Sequence, residues 1–249
     1  MKRRLLLLSN STCPGYQWLE WCLPAITDFL GPVDKILFIP FATLTGWNEN
    51  TEQLAKTLSK YRVTGIHQCL SMVDAIKEAE SIVICGGNTF HLLYHLQKHG
   101  LIEAIRERVL HDGVPYVGWS AGSNVACPDI KTTNDMPIIW PSTDSALNLF
   151  PYNINPHYTQ AVVANFCGES RDQRLDECYR VNRRAIVGLP EGCGIRVEND
   201  KFQFIRGNFP DLQVKIWKPS KEVDKQFVEF VHIKLTEQST DQVALNAFE

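Results

Sequence analysis

The chain of 249 residues predicts an α/β protein built on a single doubly wound, mostly parallel sheet flanked by helices, with a β-hairpin towards its C-terminal end. Three observations predict it. Continuous apolar runs recur at residues 5–9, 35–40, 81–85 and 114–119, and strands that are apolar on both faces belong inside a parallel sheet covered by helices. The segments between them carry apolar residues at helical spacing. The last of these runs ends in Gly118-Trp119-Ser120-Ala121-Gly122, the G-x-S-x-G pattern of a serine on a sharp strand-to-helix turn.

In chain order, residues 5–9 read as the first strand. Thr12-Cys13-Pro14-Gly15 then turns the chain into a helical pattern with Trp18, Trp21, Cys22 and Leu23 near the helical period. Residues 35–40 are the second strand, followed by a helix over 48–61 with Leu54, Ala55 and Leu58 on one side. A third strand is expected at 63–70, a short helix at 74–80, and a fourth strand at 81–85 that ends in Gly86-Gly87-Asn88-Thr89. A helical hairpin over 90–99 and 101–110, broken at Gly100, leads to the strand before Ser120. Residues 129–151 are rich in Asn, Asp, Pro and Ser and predict a long irregular loop of the kind that carries function. A charged helix is expected within 168–184 and a buried strand at 185–190. A hairpin over 194–207 should turn at Glu198-Asn199-Asp200, before a last strand at 231–235. The polar stretch from about 236 to 249 predicts a loosely held tail. No repeat, low-complexity tract or linker divides the sequence, so residues 1–249 read as one domain.

Composition narrows the function. With 44% hydrophobic residues, 21% charged residues and a formal net charge of −3, the chain gives no reason to expect nucleic acid or an anionic membrane as partner. Lys2-Arg3-Arg4 precedes an apolar run of only four leucines, too short for a secretory core of roughly 7–15 residues. Eight cysteines are scattered without a C-x-x-C pair, which predicts reduced thiols in the cytoplasm rather than a disulfide framework or a structural zinc.

A serine at an elbow becomes a nucleophile only when a base takes its proton and an acid holds that base in the right tautomer. His157, in Tyr152-Asn153-Ile154-Asn155-Pro156-His157-Tyr158, is the candidate base, on a segment whose prolines and asparagines predict a rigid exposed loop. For the acid, Glu191 ends the run at 185–190, at the sheet edge where catalytic residues gather. Asp135 is its rival, because Ser-Asp-His is the order in α/β-hydrolases. Only 15 residues separate Asp135 from Ser120, which favours Glu191. The amide of Ala121 is a candidate for one half of an oxyanion hole, and Gly86-Gly87-Asn88 should supply the other. A phosphate loop is the competing use of Gly86-Gly87-Asn88, although neither Gly-Lys-Ser/Thr nor G-x-G-x-x-G is present. His91, His95 and His99 recur every four residues on one helix. Without an H-E-x-x-H arrangement they predict a half-buried stripe rather than a metal site.

Taken together, Leu-Leu-Ser-Asn-Ser (7–11), Cys-Gly-Gly-Asn-Thr-Phe (85–90), Gly-Trp-Ser-Ala-Gly-Ser-Asn (118–124), Thr-Thr-Asn-Asp-Met-Pro (132–137), Ile-Asn-Pro-His-Tyr (154–158) and Gly-Leu-Pro-Glu-Gly (188–192) resemble the peptidase E family of α-aspartyl dipeptidases. The resemblance runs from about residue 5 to about 220. It implies a fold similar to class I glutamine amidotransferases, related to the flavodoxin-like arrangement. It also implies hydrolysis of Asp-Xaa dipeptides through an acyl-enzyme, with no cofactor and no metal. Carried onto this sequence, Ser120 is the nucleophile, His157 the base, Glu191 the orienting carboxylate, and Gly87 and Ala121 the oxyanion donors. Arg171 matches the segment expected to read the substrate aspartate, with Arg174 and Lys131 as substitutes, and Asn88 and Asp135 are further substrate-binding candidates. Cys85 stands where glycine is usual in the family, and the tail is longer than expected. A related hydrolase of another aspartyl amide or polymer, as in cyanophycinases, and a catalytically silent small-molecule binding domain are the alternatives. Monomer and homodimer are both open.

Overall fold

The four leucines of β1 (Arg4–Leu8) are fully buried at the centre of an eight-stranded sheet in the computed structural model, which describes residues 2–161, 165, 167–209, 212–219, 228–235 and 242–243. On one side β1 pairs in parallel with β5 (Tyr116–Trp119). From there β4 (Ile82–Ile84), β2 (Lys35–Ile39) and β3 (Arg62–Gly65) follow outward, all parallel. On its other side β1 runs antiparallel to β8 (Cys193–Glu198), which forms the expected hairpin with β9 (Lys201–Arg206). A short β12 (Gln242–Val243) pairs with β9, and the rest of the tail from 236 lies outside the described residues.

Strands without a polar face must be covered on both sides. Helices alternate with them accordingly: α1 (Leu23–Leu30), α2 (Trp47–Thr57), α3 (Met72–Lys77), α4 (Thr89–Lys98), α5 (Leu101–Glu107) and α6 (Ala121–Val125). The burial follows the sequence pattern, with Ile26, Phe29 and Leu30 of α1 and Leu92, Leu93 and Leu96 of α4 in the core. Gly100 stands between α4 and α5 with φ +66, in the left-handed region where a side chain is disfavoured. The third strand is shorter than the sequence pattern predicts, because Ile66–Gln68 tightens into a 3-10 turn. Among the described residues no helix is long and apolar enough to cross a membrane.

A second sheet accompanies the first. β6 (Asn153–Tyr158), β7 (Ile186–Pro190), β10 (Leu212–Pro219) and β11 (Val228–Leu235) lie in the order β11-β10-β7-β6, with only β6 and β7 parallel. Sequence pattern alone did not separate it, and the stretch at 150–158 that reads as a rigid loop contains β6. The physical reason is the company the asparagines keep. Asn153 donates to the carboxylate of Asp129 at 2.7 Å, and Asn155 donates to the Thr132 carbonyl at 2.8 Å and to Asn134 at 2.6 Å. Loop 129–135 thus supplies buried polar partners that a composition rule cannot foresee. Pro156 is tolerated because β6 is an edge strand, where a missing N–H breaks no ladder.

The charged helix, α7 (Arg171–Asn182), begins with a capping box in which Ser170 and Gln173 exchange hydrogen bonds. Its Leu175 and Tyr179 form a separate small core with Tyr158, Ile186 and Trp217. The chain passes from the small sheet to the large one in the short turn between β7 and β8, and that turn contains Glu191.

Candidate active site

Ser120 sits between β5 and α6 with φ +53 and ψ −112, outside the ordinary regions for a side chain. Such strain persists only where the surroundings over-determine it. Here they do so by close packing. A Cβ on Gly118 would stand 2.6 Å from the carbonyl of Gly122, and one on Gly122 would overlap the carbonyl of Ile84. The turn is further braced by the Tyr116 hydroxyl on the Gly122 carbonyl at 2.6 Å, by Ser123 on the carbonyl of Leu8 at 2.7 Å, and by Asn124 on that of Ile154 at 2.8 Å.

His157 reaches the same point from the other sheet. The pairing of β6 with β7 slips between Pro156 and Tyr158, so His157 is the extra residue of a bulge, with φ +54. Bulges re-aim a side chain. The imidazole Nε2 lies 2.7 Å from the Ser120 hydroxyl and Nδ1 lies 2.6 Å from Glu191 Oε1. With Nδ1 carrying the proton that Glu191 accepts, Nε2 is the acceptor for the serine proton. The three side chains are thus in hydrogen-bond contact in series, and His157 stands on a strand end and not on a free loop.

A cleft of about 440 Å³ opens over them, its lining including Trp18, Phe38, Trp119, Asn10, Asn50 and Gln53. Gly86 and Gly87 also line it, Gly86 beside Ser120. Gly87 has φ +141, and a Cβ there would run into the Ala42 carbonyl, so only glycine fits the turn. Ala121 is the first residue of α6, where an amide has no partner within the helix. Cys85, at the cleft wall, is buried, and burial pushes its thiol up to about 12.

The remaining candidates fall in different places. Asp135 lines the cleft, but its carboxylate accepts the Thr89 amide at 2.7 Å and the Thr133 hydroxyl at 3.0 Å, and it makes no hydrogen bond to His157. The side chain of Asn88 caps α4 through the His91 amide at 3.0 Å and donates to the Met136 carbonyl at 2.9 Å, so both of its polar ends are engaged in structure. Lys131 is held by Asp144 at 2.7 Å and Asp129 at 3.4 Å, and Arg174 faces Glu169 at 3.8 Å. Arg171 opens α7, half-buried, and does not line the cleft. Burial and the neighbouring Arg174 disfavour its charge. The next residue, Asp172, ties α7 to β6 by accepting from Tyr158 at 2.7 Å and from Lys215 of β10 at 2.6 Å. Nothing in the sequence signalled Lys215. The histidine stripe of α4 packs against Phe41 and Trp47 as a half-buried aromatic stack.

This constellation is the one by which serine hydrolases are recognised across unrelated folds, by geometry rather than by chain position. The model of peptidase family S51 matches residues 5–205, and the chain belongs to that family. It is 48% identical over 210 residues to a protein named peptidase E from Nostoc, covering 82% of this chain and 86% of that one. It is also 48% identical over 199 residues to peptidase E of Salmonella typhimurium, covering 78% and 86%. Two crystal structures share the fold. A putative peptidase E from Listeria monocytogenes superposes with a TM-score of 0.61 at 22% identity, over 82% of this chain and 98% of the other. A peptidase from an acI-B1 actinobacterium superposes with a TM-score of 0.66 at 15% identity, over 94% and 98%.

Proposed function

We propose that this peptidase hydrolyses dipeptides with an N-terminal aspartate through an acyl-enzyme on Ser120. The in-line contacts of Ser120, His157 and Glu191, at 2.7 and 2.6 Å, carry the proposal. His157 Nε2 takes the hydroxyl proton as Ser120 Oγ attacks the scissile carbonyl, and Glu191 stabilises the imidazolium that results. The amides of Gly87 and Ala121 receive the developing oxyanion. The C–N bond then breaks, with His157 returning the proton to the leaving amine. Water, deprotonated by the same imidazole, releases the aspartyl product from its ester and restores the serine.

Substrate choice follows from charge. Among the described residues lining the cleft the charged side chains are the carboxylates of Asp135 and Glu191, which suit the N-terminal ammonium of a dipeptide. The aspartate side chain needs a cation, and of the three candidates Lys131 and Arg174 already face carboxylates, which favours Arg171. A guanidinium gives a carboxylate a fixed two-point geometry. The relatives' name supports the aspartyl reading. All eight cysteines are free, in keeping with a cytoplasmic setting.

A dipeptide panel tests this directly. Asp-Leu should be cleaved far better than Asn-Leu or Ala-Leu, and Arg171→Ala should lower kcat/KM for Asp-Leu by roughly 2–5 kcal/mol while sparing the poor substrates. An unchanged ratio of Asp-Leu to Asn-Leu in that variant places the acid-reading residue elsewhere. Cleavage of polymeric or branched aspartate alone, or of no substrate, overturns the dipeptidase reading.

A further inference from the structure

Leu8, the last residue of β1, and the two residues after it each bond to a segment that carries a different part of the site. The carbonyl of Leu8 accepts the amide of Ser120 at 3.1 Å. Ser9 Oγ accepts the amide of His157 at 2.8 Å and donates to the carbonyl of Leu189 at 2.8 Å. Asn10 Oδ1 accepts the amide of Gly192 at 2.9 Å, and its Nδ2 donates to the Thr12 carbonyl at 2.8 Å and to the Cys13 sulfur at 3.0 Å. Leu189 and Gly192 bracket Glu191, so the acid-bearing turn is fixed at both ends from β1.

Neither side chain is accounted for by the sheet ladder. Ser9 is 0% and Asn10 2% exposed, and a hydroxyl and an amide at such depth persist only where their hydrogen bonds are made. The site also needs them there. His157 is held at φ +54 in a bulge of an edge strand, a conformation that costs about 1–2 kcal/mol for a residue with a Cβ. The Ser9 hydroxyl grips the amide of that very residue, while the same oxygen's proton goes to β7, whose end leads to Glu191. Because β1 is also paired with β5 through Leu8 and Trp119, one strand, with all four of its leucines buried, sets the register between the sheet that carries Ser120 and the sheet that carries His157.

We propose that Ser9 and Asn10 are positioning residues: they align His157 and Glu191 on Ser120, and acylation depends on their side chains although neither is given a proton-transfer role. The proposal rests on the serine-peptidase reading above. A 1 Å misplacement of a reacting group can cost about 10²-fold in rate, and this sets the scale expected.

The experiment compares Ser9→Ala, Ser9→Thr and wild type by three readings: melting, Ser120 labelling by a fluorophosphonate, and the downfield proton resonance of the His157 Nδ1–H···Glu191 hydrogen bond. In Ser9→Ala that still melts cooperatively, labelling should slow about 10²-fold and the resonance should broaden or vanish. With a dipeptide substrate the loss should fall on kcat, with KM nearly unchanged, and Ser9→Thr, which keeps the hydroxyl, should restore both signals. A folded Ser9→Ala with wild-type labelling and an intact resonance overturns the proposal and leaves Ser9 a packing residue. Absence of labelling in the wild type would instead overturn the serine chemistry itself. Should Ser9→Ala fail to fold, Asn10→Ser is decisive by the same readings: slowed labelling with a displaced resonance supports alignment from β1, and wild-type behaviour refutes it.

Discussion

Ser120 rises from a sheet whose central strands are leucine, isoleucine and valine, whereas His157 and Glu191 stand on a smaller sheet that holds asparagine, proline and lysine in place. The first region is fixed by volume. Gly118 and Gly122 let β5 and α6 approach so closely that the serine has one available position. Hydrogen bonds fix the second: Asn153 and Asn155 to loop 129–135, Tyr158 and Lys215 to Asp172, and Ser9 to His157. The strained Ser120 turn is held first by sterics, with the hydrogen bonds of Tyr116, Ser123 and Asn124 as braces. A base must be aimed at a point on another sheet, and directional bonds are what aim.

The largest effect should come from the junction of the two regions. Ser120→Ala is expected to lower turnover by several orders of magnitude, about 10⁴–10⁶, while the fold survives. Glu191→Gln should cost about 10³–10⁴, and Asp135→Asn much less, since Asp135 bonds to Thr89 and Thr133 and not to the imidazole. Steady-state kinetics on folded variants decide it, and a greater loss in Asp135→Asn reverses the assignment of the acid.

Breaking the steric region should unfold more than it inactivates. In Gly122→Ala the new methyl meets the Ile84 carbonyl, and the forced backbone shift should cost about 3 kcal/mol. Urea denaturation reads this, and wild-type stability would refute the close-packing account of the elbow.

A softer failure is expected in the polar region. Lys215→Met removes a side chain that is only 9% exposed and leaves Asp172 with Tyr158 and Gln160 as partners. The loss should be about 2 kcal/mol near neutral pH, below the full value for a deeply buried pair because Asp172 is one-third exposed. Burial raises the Asp172 carboxyl pKa, but the bonds from Lys215 and Tyr158 outweigh it and hold it below the usual range. Its stabilisation is therefore present above the ordinary carboxylate pKa and fades as pH falls through the folded value. The gap between wild type and Lys215→Met should narrow in acid, and a gap independent of pH would show that packing, not charge, was lost.

The smallest effect concerns a part of the large sheet's surroundings that does rely on a polar group. Burial, aided by the charges of His91, His99 and Lys98, pushes His95 down to about 4. An unfolded histidine takes its proton near pH ~6.5, so the unfolded chain binds more protons between these values and stability declines as pH falls from about 6.5 to about 4. His95→Gln should flatten that slope in thermal melts. An unchanged slope would assign it to other groups.

How much of this was legible in the sequence follows the same division. The leucine run of β1, the apolar strands β2, β4 and β5, and the G-x-S-x-G turn could be read from residue types alone. Burial on both faces and close approach at a turn are demands that a strand or a glycine meets locally. Ser120, His157 and Glu191 were legible as candidates because each residue type has few other uses in its setting. Their convergence was not, since the three lie 37 and 34 residues apart along the chain and on two sheets. Only the tertiary structure decided that 153–158 is a strand, that the Asn88 amide also reaches Met136, that Lys215 reaches Asp172, and that Ser9 and Asn10 hold the amides of His157 and Gly192. The cap that Asn88 makes on His91, three residues away, is local, but each of these depends on a hydrogen-bond partner distant in sequence, and no local pattern encodes which partner a buried polar group will meet.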